Sequence, residues 1–310
     1  MKKYIFSALL LFSGISDSPA CLNEMVQKPA DWTVIKRDFG PLLQLDSIPQ
    51  DQLFNYLHFL EENKDTATSF ANRNDMAVVY MRLADPATAR DLLLELEREN
   101  PGNYSVAANL GTAYELLGNL DSALFWIKKA VSIDPNAHNG SEWIHVMILR
   151  YRIAKEKNPQ YLSGSSALMF DFGMTDLPSN PYGLNTEKVQ NELGYQLRER
   201  LSFVRPPDTL TGMLLFDFAN LVALSDNPAQ ALWYYQAARD FGFVSELMDA
   251  RVERITEITS KDPNAKLNAF TGEEVDIDGD GIQVYVIAGI IAVIAVVGVW
   301  LLLRKGRNNR

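Results

Sequence analysis

The stretch from Tyr104 to Pro135 predicts two short amphipathic helices joined by a tight turn. Small or apolar residues recur at steps of three and four along its first half, at Ala107, Leu110, Ala113 and Tyr114. The turn falls at Gly118 and Asn119, because these residue types adopt a left-handed or helix-capping backbone at the lowest cost. A second apolar stripe follows at Ala123, Ile127 and Ala130. One such helix pair cannot bury its own apolar face, so neighbouring pairs are expected along the chain.

The spacing of this unit resembles that of the tetratricopeptide repeat (TPR), whose pattern W-x2-L-G-x2-Y…A-x3-F…P covers about 34 residues. The matching residues are Leu110, Gly111, Tyr114, Ala123 and Pro135. Ala107 stands in place of the tryptophan and Ile127 in place of the aromatic residue. The resemblance implies that Gly111 and Ala123 face one another where the two helices cross. It also implies an α-solenoid, in which stacked helix pairs share a continuous core.

Three further units extend the pattern, with different fidelity. Residues 70–101 match well, since the key positions about 34 residues upstream hold Tyr80, Ala89, Leu93 and Pro101. Residues 212–243 match fairly, because Ala231 to Ala238 align in residue type with Ala123 to Ala130. Residues 138–206 fit only as a third repeat whose turn carries an insertion at 156–185. In this repeat Arg198 occupies the position that matches the apolar Ile127. The predicted fold class is therefore all-α: a TPR-like α-solenoid at 70–261 plus one C-terminal transmembrane helix.

The two ends of the chain predict its cellular location. Residues 1–20 have the basic start, short apolar run and small residues of a secretory signal peptide. Cleavage near Ala20 is favoured, and lipidation of Cys21 is the alternative. Residues 284–303 carry no charge and span about 30 Å as a helix, the thickness of a bilayer core. An acidic stalk at 262–283 precedes this span and a basic tail at 304–310 follows, which places the tail in the cytoplasm and the bulk in the periplasm. Residues 21–69 are predicted to be an N-terminal cap.

Composition excludes several functional classes. The formal net charge is −10, so the body is expected to repel nucleic acid. The single cysteine allows no intrachain disulfide, and the histidines show no zinc-ligand spacing. The acidic run 276–281 lacks the bidentate glutamate that completes a calcium loop. No nucleophile triad, P-loop or dinucleotide fingerprint is present, so no enzyme activity, cofactor or metal is predicted.

The TPR resemblance suggests a function and a site. Together with the predicted signal peptide and membrane span, it implies a membrane-anchored extracytoplasmic scaffold for protein partners of an envelope complex, attached to the inner membrane through Val284–Leu303. In such proteins, side chains of the first helices line a concave groove. The positions carried over to this chain are Asn74, Arg82, Asn109, Thr112, Glu115, Glu142, Trp143 and Arg150. The mixture does not match the Lys/Asn clamp that some relatives use for C-terminal carboxylates.

The alternative is an accessory ligand-binding protein for glycan or peptide uptake, which would use the insertion. Its candidate ligand contacts are Phe170, Phe172 and Tyr182, because irregular loops on rigid scaffolds often carry binding residues. Another group of aromatic residues lies on predicted second helices and is expected to pack in the core. It comprises Trp126, Trp233, Tyr234 and Tyr235. The identity of any small-molecule ligand stays open.

Overall fold

A computed structural model of the chain describes residues 35–38, 40–63, 69–161, 166–225 and 227–267. The predicted signal peptide, transmembrane span and basic tail lie outside these residues, as does the stalk beyond residue 267. Within the described ranges, no helix combines the length and the apolar composition that crossing a membrane requires.

The described body is almost entirely helical, which confirms the all-α class apart from one short hairpin. Strands β1 (Ile35–Asp38) and β2 (Gln44–Ser47) pair antiparallel. The α-helices are α1 (Gln50–Glu62), α2 (Ser69–Arg82), α3 (Pro86–Glu99), α4 (Tyr104–Leu116), α5 (Leu120–Ile133), α6 (Glu142–Lys157), α7 (Thr186–Phe203), α8 (Thr209–Ser225), α9 (Pro228–Asp240) and α10 (Glu246–Lys261). A short 3-10 segment, Ala137–Gly140, precedes α6.

Local sequence chemistry sets the helix starts. Asn119 caps α5, since its side chain accepts a hydrogen bond from the Ser122 amide at 3.2 Å. Gly118 before it has φ +75°, as expected for a glycine just after a helix end. Asp85 caps α3 in the same way through the Thr88 amide, with Pro86 at the first helical position. These caps explain why the turns fall where the sequence pattern predicts them.

Helices that follow one another in the chain pack against one another throughout the body. The most extensive contacts join α2 to α3, α4 to α5 and α8 to α9. In each of these pairs, the second helix places a fully buried alanine near its start, at Ala89, Ala123 and Ala231. Further contacts of α3 with α4 and of α5 with α6 link successive pairs. The body is therefore a series of adjacent packed helix pairs.

Two helical glycines mark the closest approaches between helices. A Cβ added to Gly111 in α4 would lie 2.3 Å from Ile127 Cδ1, so Ile127 rather than Ala123 is the nearest neighbour. Gly212 in α8 faces a more rigid neighbour, because a Cβ there would lie 2.9 Å from the backbone carbonyl oxygen of Ala238. A backbone oxygen cannot rotate away as a side-chain tip can. The glycine at 212 is therefore required by the contact between α8 and the end of α9.

Gly212→Ala is expected to lower the free energy of unfolding by about 2 kcal/mol, although alanine favours helix by about 1 kcal/mol. Urea denaturation followed by far-UV circular dichroism measures the change. Gly194→Ala in α7 is the matched control, since its nearest neighbour is a ring atom of Phe218 at 3.2 Å that can shift. Equal stability of the two variants would contradict a backbone clash at Gly212.

The N-terminal region does not form one cap. Helix α1 packs against α2, as predicted for an end helix. The hairpin instead lies on the C-terminal half, where β2 contacts α7 and the Leu42 amide donates to the Tyr234 hydroxyl at 2.7 Å. Leu43 is fully buried in the core built by α6 to α10. The segment before α1 therefore packs against the C-terminal helices, whereas α1 itself packs against α2.

The described part of the insertion belongs to the protein core. Ala167, Leu168 and Phe172 are buried with the apolar faces of α6, α7 and α8. Arg251 of α10, which is also buried, donates to the carbonyl oxygens of Phe172 (2.9 Å) and Gly173 (2.6 Å). These described residues of the insertion are thus held by specific contacts with the helices, while Met174 and Tyr182 remain exposed.

Candidate functional site

Helix α7 lies across the first helices of the predicted second and third repeats. Its Arg200 pairs with Glu115 of α4, with 3.0 Å between Nη1 and Oε1. Two turns earlier, Glu192 accepts a hydrogen bond from the indole nitrogen of Trp143 in α6 at 2.8 Å. The polar face of α7 therefore contacts two of the residues that the sequence assigned to an open groove.

Glu115 is the centre of a buried charge cluster. Besides Arg200, its carboxylate contacts His145 Nε2 at 2.7 Å and Arg152 Nη1 at 2.7 Å. Burial alone would raise the pKa of Glu115. The positive charge of Arg200, the hydrogen bond with His145 and the charge of Arg152 outweigh burial and hold that pKa well below its usual range. Glu115 is therefore an ionised carboxylate that joins α4, α6 and α7.

Glu142, at the first position of α6, is almost completely buried. Its Oε1 accepts a hydrogen bond from the Tyr104 hydroxyl at 2.9 Å and lies 2.5 Å from His138 Nδ1. Burial raises the pKa of Glu142, but the contacts with His138, His145 and Tyr104 bring it below its ordinary value. Its Oε2 accepts no hydrogen bond from any residue that the structure describes, and His145 Nδ1 is 4.0 Å away.

The backbone before α6 is held in a left-handed conformation over three consecutive residues. The φ angles are 57° at His138, 56° at Asn139 and 76° at Gly140. For a non-glycine residue this region costs about 1–2 kcal/mol, so surrounding contacts must hold it in place. The His138 ring stacks on Tyr195 of α7, with 5.1 Å between ring centroids. The strained turn aims the imidazole of His138 at Glu142.

A cavity of about 60 Å³ lies between α4, α6 and α7. Its polar lining comes from Thr112, Glu115, His138, Glu142, His145, Gln196, Glu199 and Arg200. Its apolar lining comes from Ala108, Leu116, Ile127, Ile148, Phe203 and Val204. Since one water needs about 10–15 Å³ in such a space, the cavity holds a few waters or a small polar group.

The structure brings together only part of the predicted groove. Thr112, Glu115 and Glu142 line the cavity, and Trp143 lies beside it against Phe170, with ring centroids 6.2 Å apart. These four residues come from α4 and α6, with α7 placed over them.

The other predicted groove residues lie apart from the cavity. Asn109 donates to the side-chain oxygen of Asn74 at 3.0 Å, and both side chains are buried between α4 and α2. Arg82 is half-buried at the end of α2, and Arg150 is exposed on α6. The first helices therefore present no continuous polar surface across these positions.

The aromatic residues singled out in the sequence differ in how deeply they are buried. Tyr234 and Tyr235 are fully buried, which confirms their packing role, and Trp126 is half-buried. Trp233 is 64% exposed, so the prediction that it packs in the core is wrong. Of the insertion residues, Phe172 is buried, Phe170 is half-buried and Tyr182 is 61% exposed.

Sequence reasoning missed the histidines and arginines of the cluster. His138, Glu142 and His145 do carry a signal, because steps of four and three place them on one side of a helical turn. Arg152 and Arg200 carry none, since each belongs to an ordinary polar stripe until α7 is placed against α4. Among the described residues, no group of three or more histidine, cysteine, aspartate or glutamate side chains is arranged to hold a metal ion.

No protein-family model, curated protein or solved structure matches this chain. The functional argument therefore depends on the packing of the helices and on the residues around the cavity.

Proposed function

We propose that this protein is a non-catalytic helical-repeat scaffold, anchored in the inner membrane, that binds partner proteins of an envelope complex. The observation that supports it most is the series of packed helix pairs, three of which have a short connection and a buried alanine near the start of the second helix. This arrangement is compatible with the TPR-like solenoid that the sequence resembles. Stacked repeats of this kind present extended surfaces that suit protein binding.

The membrane anchor and the orientation in this proposal derive from the sequence. The uncharged segment 284–303 lies between an acidic stretch and a basic tail, which favours a periplasmic body and a cytoplasmic tail. These segments lie outside the described residues, so they remain a proposal with the rest of the localisation.

We place the partner surface on the second helices. Phe125 of α5 is 60% exposed and Trp233 of α9 is 64% exposed. Both stand two residues after the buried alanine of their helix, at Ala123 and Ala231, so they occupy equivalent positions in two pairs. Aromatic side chains are enriched in protein interfaces and frequently dominate their binding energy. The predicted groove is a less accessible surface, because α7 covers Glu115 and Trp143.

Site-specific photo-crosslinking in native membranes tests this proposal. A photoreactive amino acid is placed at Phe125, Trp233 or Thr112 in the full chain, with the exposed Glu253 of α10 as the control position. We expect one discrete protein adduct from Phe125 and Trp233 and none from Glu253. An adduct from Thr112 alone would keep the scaffold function but overturn the assigned surface. The absence of a protein adduct at all three sites would overturn the scaffold function.

A further inference from the structure

One carboxylate oxygen of the cavity lining lacks a hydrogen-bond donor among the described residues, since His145 Nδ1, at 4.0 Å from it, is too far to donate. Glu142 is 3% exposed, and its Oε2 accepts no hydrogen bond from the described residues. A buried acceptor without a donor is costly, and native proteins leave few of them. The ionised oxygen therefore calls for a donor that enters the cavity from outside the chain.

The neighbouring cations do not supply that donor. Arg152 and Arg200 both direct a guanidinium nitrogen at Oε1 of Glu115, at 2.7 Å and 3.0 Å. Three carboxylates, those of Glu115, Glu142 and Glu199, and one guanidinium, that of Arg200, line the cavity. This lining favours a cationic ligand over an anionic one.

The remaining walls suit a short hydrocarbon chain. The side chains of Ile127, Ile148 and Phe203 form part of the apolar lining. Leu116 is 39% exposed, which places it where the cavity meets solvent. A volume of about 60 Å³ accommodates roughly four non-hydrogen atoms, if each needs about as much space as a water. This is the size of an ammonium head with three methylene or methyl carbons.

We infer that the cavity binds a primary alkylammonium group, whose head donates to Glu142 Oε2 and whose carbon chain lies along the apolar wall toward Leu116. A small free amine and the lysine side chain of a peptide both present this chemistry. The inference does not depend on the proposed scaffold function, because a free amine can be tested without any partner protein.

Isothermal titration calorimetry of the purified full chain with propylamine tests the inference. We expect saturable binding, and propionamide, which is similar in size but uncharged, should bind at least about tenfold more weakly. Cadaverine and Nα-acetyl-lysine amide then distinguish the two sources, since tighter binding of one identifies a free diamine or a lysine side chain. Equal affinities for propylamine and propionamide, or no binding of either, would overturn the inference and leave the cavity to water only.

Two variants locate the binding site. Glu142→Gln retains the shape of the side chain but removes its charge, so the affinity for propylamine should fall by about tenfold or more. Leu116→Trp narrows the mouth without altering Glu142 and should weaken binding to a similar extent, even if Glu142→Gln proves unstable. Glu187→Gln, at an exposed position on α7, is the matched control and should bind as the parent does. Undiminished binding to a folded Leu116→Trp variant would place the amine elsewhere.

Discussion

Arg251→Met is expected to lower the free energy of unfolding by about 3 kcal/mol, because it removes several buried hydrogen bonds from a charged donor, each of which contributes about 1.5–3 kcal/mol before the remaining partners compensate. The Arg251 side chain is fully buried and donates to Asn220 Oδ1 at 2.7 Å and to the Phe172 and Gly173 carbonyl oxygens. Methionine fills a similar volume but donates nothing, so the Gly173 carbonyl oxygen would lose its donor, while Asn220 Oδ1 and the Phe172 carbonyl oxygen would each keep one, from the Tyr235 hydroxyl and the Ser179 amide. Urea denaturation followed by circular dichroism measures the loss.

The same variant should loosen the insertion before the whole protein unfolds. Arg251 of α10 holds the insertion through three carbonyl oxygens, those of Phe172, Gly173 and Thr175, so residues 166–185 should become sensitive to limited proteolysis in Arg251→Met. Lys261→Met, at another charged position of α10, is the matched control. Lys261 is 72% exposed and pairs with Glu257 at 2.7 Å, so its loss should cost less than about 1 kcal/mol. Equal stability and equal cleavage in the two variants would show that Arg251 does not anchor the insertion.

Helical periodicity and cap chemistry predict much of the helical framework. In α7, for example, apolar residues recur at steps of four in the sequence, at Val189, Leu193, Leu197 and Leu201, and all four are buried. The sequence pattern also places the turn between α4 and α5 at Gly118 and Asn119, where the left-handed residue and the cap occur. These features depend on residues close together in the chain, which explains why a sequence pattern detects them.

The position of α7 depends on contacts between distant residues, and no local pattern encodes it. Glu192, Gln196 and Arg200 occupy the polar side of an amphipathic helix, which by itself indicates a face toward water. In the structure all three contact α6, α4 or the turn before α6. A polar face that meets another polar face and one that meets solvent have the same hydrophobic pattern. The partial closure of the predicted groove therefore could not be predicted.

Exposure of single aromatic residues escapes prediction for a related reason. Trp233 and Tyr234 are adjacent and similar in size, yet one is 64% exposed and the other fully buried. Tyr234 meets the hairpin through Leu42, a contact that spans most of the chain. Gly212 is different, because an isolated glycine within an apolar helical run is a recognisable sign of close approach.

Glu115→Gln is expected to lower the free energy of unfolding at neutral pH by about 3 kcal/mol. Glu115 compensates Arg152 and Arg200 inside the protein and also accepts from His145. Glutamine retains one acceptor oxygen but removes the carboxylate charge that faces the partly exposed Arg152 and the largely buried Arg200, whose remaining carboxylate partner is Asp208 at 3.9 Å. Urea denaturation at pH 7 measures the change, and Glu187→Gln, an exposed position on α7, should leave stability unaltered.

The effect of Glu115→Gln should depend on pH in one direction. The folded-state pKa of Glu115 lies well below the ordinary value of 4.5, so its ionised form contributes stability at every pH above that value. As the pH falls below 4.5 toward the folded-state pKa, protonation removes the contribution from the parent protein only. His145, Arg152 and Arg200 are the basic groups that face the carboxylate. The stability difference between parent and variant should therefore shrink as the pH is lowered below about 4.5. A difference that stays constant would mean that Glu115→Gln acts through packing and not through charge.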